Sequence, residues 1–126
     1  MQQASLYQQY KNQSLETLTP GEMVIKLLEE ASKQVSMAIF LTNQKDYLNS
    51  YNSITKAQTI ISTLESSLDR NYAISIELID HYQFLYASLS KAVTKNDTEL
   101  MKRLLFLIDD LKSTFKQADR LARSRR

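Results

Sequence analysis

Apolar residues recur every three or four positions through most of the chain and divide it into four segments. Val24, Leu27, Leu28, Ala31, Val35, Ala38 and Ile39 share one face if the chain is helical from Thr19 to about Thr42. Tyr47, Tyr51, Ile54, Ala57, Ile61, Leu64 and Leu68 form a second stripe that ends near Asp69. Leu78, Tyr82, Leu85, Leu89 and Val93 form a third, with Ile79 and Tyr86 beside it. A fourth runs through Leu104, Ile108, Leu111, Phe115 and Ala118, flanked by Leu100, Leu107 and Leu121. These stripes are wider than a coiled-coil seam, particularly on the second and fourth helices. The excess apolar surface either fills a four-sided core or stays open as a groove.

The polar punctuation agrees with that division. Thr19 suits an N-cap, Pro20 the first helical position, and Glu22 the third position of a capping box. Asn43-Gln44-Lys45 and Arg70-Asn71-Tyr72 read as short breaks, and Asn96 with Glu99 as a second capping box opening the fourth helix. Four amphipathic helices with short links predict an all-α fold, an antiparallel four-helix bundle over residues 19–122. Residues 1–18 are rich in Gln, Ser and Asn and read as a flexible arm carrying Leu6, Tyr7, Tyr10, Leu15 and Leu18. Residues 123–126 read as a basic tail.

Composition narrows the class further. The 126 residues suit one domain able to bury a core. The single proline and the single glycine are neighbours at 20 and 21, so everything after them lacks both strong helix breakers. A β-rich fold would need the turn residues that are missing. There is no cysteine, which excludes a disulfide framework and a thiolate metal site. The neutral, polar start gives no sign of a signal peptide, and no apolar run approaches the length of a membrane span. The expected location is the cytoplasm.

Charge is unevenly placed. Arg120, Arg123, Arg125 and Arg126 outweigh the whole net charge of +2, so the body of the chain is mildly acidic. A nucleic-acid binder would more often carry a basic stripe across its fold, so no nucleic-acid partner is expected. Cations at a helix C-terminus favour the helix dipole, which accounts for the arginines without a ligand.

Catalytic chemistry is equally sparse. His81 is the only histidine, so a di-iron bundle with two Glu-x-x-His pairs cannot be built. A phosphotransfer histidine would need a cation nearby, yet Phe84 and Leu85 follow it. The adjacent carboxylates Glu29-Glu30 and Asp109-Asp110 point around their helices rather than converging. No phosphate-binding glycine loop exists. The expectation is a protein without catalytic residues, metal or cofactor, which binds another polypeptide.

Several segments, taken in order, resemble the flagellar secretion chaperones of the FliS family. Tyr10 stands ten residues before Pro20, as the family's arm tyrosine does. Thr19-Pro20-Gly21-Glu22-Met23-Val24 is similar to its helix-opening motif, and Ile54-x-Lys56-Ala57-Gln58-x-Ile60-Ile61 to its most recognisable segment. Leu64, Leu68-Asp69, Leu78, Tyr82 and Asn96-Asp97 fall at agreeing spacings, and the resemblance extends from about Tyr10 to Lys116. The chain departs from the family pattern at Lys26, Leu28, Glu30, Phe84 and Phe115, and it lacks a double-glycine turn near Asn71.

The resemblance implies a cytoplasmic chaperone of type III flagellar export. Such a protein binds the disordered C-terminal segment of flagellin, prevents its premature polymerisation and aids delivery to the export gate. Contacts with regulators of flagellin synthesis occur in some lineages, and a monomer or weak homodimer is expected. On this reading Ile54, Ala57, Ile61, Leu64 and Leu68 form one wall of a client groove, and Leu78, Tyr82 and Leu85 face them. Lys56 and Gln58 bond client carbonyls. Ala57 admits the client's backbone, so Ala57→Glu should abolish binding and spare the helices. Leu6, Tyr7, Tyr10, Leu15 and Leu18 are expected to rest on the groove in the free protein and to move aside for the client, with Tyr7 and Tyr10 among the client-binding residues. The competing reading is a helical adaptor that uses the same surface for a folded regulatory partner.

Overall fold

A computed structural model describes residues 20–124, which form four helices: α1 (Pro20–Asn43), α2 (Tyr47–Ser66), α3 (Ala73–Thr94) and α4 (Thr98–Ser124). The arm 1–18, the cap expected at Thr19, and Arg125 and Arg126 lie outside the described residues. α4 continues two residues past the boundary expected at 122, and α2 stops three residues short of Asp69.

Two of the three turns use one device. Lys45 and Asn96 have φ of 62° and 50°, left-handed conformations that end α1 and α3. In the first turn the Lys45 N–H donates to Thr42 O at 3.0 Å and the Asp46 N–H to Leu41 O at 2.9 Å. In the third, Asn96 N–H donates to Val93 O at 3.2 Å and Asp97 N–H to Ala92 O at 2.8 Å. Both are Schellman closures, which satisfy the last carbonyls of a helix. The aspartate that completes each closure then caps the next helix. Asp46 Oδ1 accepts from Asn49 N–H, and Asp97 Oδ1 accepts from Leu100 N–H at 3.0 Å. The cap of α4 is therefore Asp97. Asn96, expected in that role, ends α3 instead, because a short-side-chain residue tolerates positive φ.

The middle turn is built differently. Asp69 Oδ1 accepts from Asn71 N–H at 3.0 Å, and Ser75 Oγ donates to Asp69 O at 2.6 Å. These bonds hold the chain between Ser67 and Tyr72 without a double glycine.

Short turns make sequential helices antiparallel, and α4 closes against α1. Ser32 Oγ donates to Asp109 at 2.6 Å, Lys116 lies 3.6 Å from Glu29, and Gly21 sits against Asp119. Lower numbers on α1 thus meet higher numbers on α4. The helices stand around one core, with neighbours α1–α2, α2–α3, α3–α4 and α4–α1. Leu27, Leu28, Val35, Ile54, Ile61, Leu64, Tyr82, Leu89, Leu104 and Ile108 fill its centre. Fully buried Ala31, Ala38, Ala57 and Ala92 let backbones approach where a longer side chain would hold them apart. Of the four seams, α3–α4 is the most loosely closed.

Candidate functional site

Each residue of the expected client groove has a definite place. Ile54, Ala57 and Ile61 are 0% exposed, and Leu64 and Tyr82 only 1%. Their side chains belong to the bundle core rather than to an open wall. The same helical spacing serves a core stripe and a groove wall, and the partner helices decide between them. Burial raises the Tyr82 hydroxyl to about 12, so the phenol is neutral through the physiological range. Leu68 and Leu78 are half-buried against the core, Leu85 is buried and Lys56 is exposed. Tyr7 and Tyr10 lie outside the described residues.

Gln58 is engaged within the bundle. Its Nε2 donates to Tyr86 O at 2.9 Å and to Ser90 Oγ at 2.6 Å, tying α2 to α3 across their seam. A buried amide must find partners inside the fold, and α3 supplies them. Comparable polar pins link other helices. The hydroxyls of Thr42 and Ser50 are 2.6 Å apart, and Ser50 donates to Ala38 O at 3.2 Å, holding the α1–α2 end together. Among the described residues no buried side-chain nitrogen or oxygen lacks a partner.

Burial also changes what Ala57→Glu would do. The alanine methyl is enclosed on every side, so a carboxylate there would be desolvated inside the core. The substitution expected to spare the helices instead attacks their packing.

The open apolar surface lies one seam away. A groove of about 270 Å³ runs between α3 and α4. Leu78, Leu85 and Leu111 line it nearest the core, while Ile74, Phe84 and Leu107 stand at 58%, 56% and 42% exposure. Glu77, His81, Asp110 and Thr114 complete the lining. Only Leu78 and Leu85 belong to the set named from the sequence. The missed signal is a second stripe on α3, Ile74-Leu78-His81-Leu85, which runs beside the buried stripe Ser75-Tyr82-Leu85-Leu89 and shares Leu85 with it. Leu107, Leu111 and Thr114 supply the matching edge of α4.

A second cleft, between α1 and α4, is of another kind. Glu22, Glu29 and Asp119 alternate there with Lys26, Lys116 and Arg120, and only Ile25 is apolar. Its charges are matched within the cleft. Of these two clefts the apolar one is the α3–α4 seam.

His81 is exposed at the edge of that seam, with no lysine or arginine among the residues lining it. No group of three or more histidine, cysteine, aspartate or glutamate side chains arranged for a metal occurs among the described residues. Within the same residues no helix is long and apolar enough to cross a membrane.

Fold and groove together define, among the described residues, a helical bundle with an incompletely covered apolar seam. The family model described as flagellar protein FliS matches residues 2–122. The flagellar secretion chaperone FliS of Bacillus subtilis (strain 168) is 30% identical over 112 residues, spanning 89% of this chain and 84% of its own length. The chain belongs to the FliS family of flagellar secretion chaperones. The matched span includes Tyr7, Tyr10 and both segments that carried the resemblance.

Proposed function

We propose that this protein acts in the cytoplasm as the export chaperone of flagellin, holding its C-terminal segment until delivery to the export gate. Membership of the family supports the export role, and the uncovered α3–α4 seam carries the structural argument. A segment that becomes helical only on assembly exposes apolar teeth when free. An apolar groove covers those teeth and removes the surface through which subunits would join.

Leu78 and Leu85 form the floor for this client, with Ile74, Phe84 and Leu107 as walls. Ile54, Ala57, Ile61, Leu64 and Tyr82 act beneath them, fixing α2 against α3 so that the floor is rigid. The role is binding rather than catalysis. Ordering a disordered segment costs about 2–5 kcal/mol or more, so contact must extend beyond this single groove.

The direct test is calorimetric titration of a flagellin C-terminal peptide into the full-length protein, with circular dichroism on the same mixtures. Saturable one-to-one binding, a negative heat-capacity change and a gain of helix are expected. Absence of binding to the cognate peptide would overturn the client assignment and favour an adaptor for a folded partner.

A further inference from the structure

The α3–α4 groove also carries a charge pattern. Glu77 on α3 and Asp110 on α4 line it from its two sides, and neither lysine nor arginine is among its lining residues. The α1–α4 cleft faces each of its carboxylates with a cation, and this groove does not. Both carboxylates are exposed, so neither is consumed in holding the bundle together. The apolar lining between Ile74 and Leu85 extends about 16 Å along α3 at the rise of an α-helix.

From these features we infer that the groove selects a cationic amphipathic helix of about three turns. Its apolar teeth face Leu78, Leu85 and Leu111, and its lysine or arginine residues flank those teeth against Glu77 and Asp110. This deepens the chaperone reading and rests on it. The groove's apolar floor supplies contact area, while the two carboxylates choose among helices of equal hydrophobicity and speed encounter. An anionic helix of the same shape is rejected by repulsion from both sides.

Two synthetic helical peptides test this with the full-length chain. They share one set of leucine teeth and differ only in flanking residues, lysine in one and glutamate in the other. Between the two peptides, two attractive exposed ion pairs replace two repulsive ones. The lysine peptide should therefore bind roughly 10-fold tighter in low salt, a preference shrinking to about 2–3-fold in high salt.

The double variant Glu77→Gln/Asp110→Asn should lose the preference while keeping its far-ultraviolet dichroism. Phe84→Ser, at an exposed wall, should weaken both peptides alike. A preference that survives the double variant, or failure of both peptides to bind, would overturn the inference. The flagellin peptide separates the two readings. If it binds with affinity unchanged by Glu77→Gln/Asp110→Asn, the chaperone assignment stands and the charge rule falls. If it does not bind while the lysine peptide does, the client is wrong and the groove's selectivity stands.

Discussion

Replacing Gln58 by alanine separates a structural role from a client-binding one. In the structure the amide nitrogen bridges α2 to α3 through Tyr86 O at 2.9 Å and Ser90 Oγ at 2.6 Å. Each such bond contributes about 0.5–1.5 kcal/mol net. Neither partner would be stranded by the change. The Tyr86 carbonyl keeps its place in the α3 ladder, and Ser90 is exposed to water. The variant also removes one buried methylene, worth up to about 0.8 kcal/mol. Together these give a destabilisation of about 1–4 kcal/mol. For a domain of this size that corresponds to a melting temperature lower by roughly 4–16 °C. Thermal and urea unfolding followed by circular dichroism measure it directly. Client affinity, measured well below the transition, should change little. An unaltered melting temperature with a large loss of client affinity would refute the reasoning and return Gln58 to the binding surface.

Three further outcomes follow from particular contacts. Ala57→Glu, at a fully buried methyl, should cost about 3 kcal/mol or more and lower the helical dichroism; a normally folded variant that fails only to bind would contradict the core placement. Tyr82 is held neutral up to about 12 in the folded state, against 10.0 for its ordinary value, so the unfolded chain releases its proton first. The Tyr82 contribution to stability should be level below pH 10 and fall between pH 10 and 12 by about 1.4 kcal/mol per pH unit; Tyr82→Phe should remove that component from alkaline unfolding curves. At Gly21 an added methyl would lie 2.6 Å from Asp119 Oδ1 and displace that carboxylate. Gly21→Ala should therefore raise the melting temperature less in the native chain than in an Asp119→Ala background, where the helix gain of about 0.5–1 kcal/mol is unopposed. A gain of equal size in both backgrounds would show that the contact is irrelevant.

The groove explains why some of this was readable from the chain and some was not. Val24 to Ile39, Leu78 to Val93 and Leu104 to Phe115 repeat with the helical period, so the helices and their inward faces were legible. The turns were legible as breaks, but not in mechanism. Asn96 and Asp97 are both acceptable caps by residue type, and the left-handed φ of Asn96 decides between them. Gln58 looked like a surface hydrogen-bonder because its partners lie 28 and 32 residues away, on a helix whose rotation the sequence does not specify. Leu107 is visible in the sequence only as the edge of a wider stripe and Phe84 only as a neighbour of His81, since their exposure depends on how far α3 and α4 stand apart.

What the sequence determined by itself, over the described residues, is the number of helices, their approximate limits and the absence of strands. Those properties are local: they rest on periodicity, on turn-forming residues and on a chain almost free of glycine and proline. The two motif segments also determined the family. Tertiary structure decided which apolar residues are covered. A stripe at helical spacing is the same whether it meets a neighbour or solvent, so coverage depends on the distances and rotations of four helices packed at once. That collective geometry buries Ile54, Ala57, Ile61 and Tyr82 and leaves the outer edges of α3 and α4 uncovered.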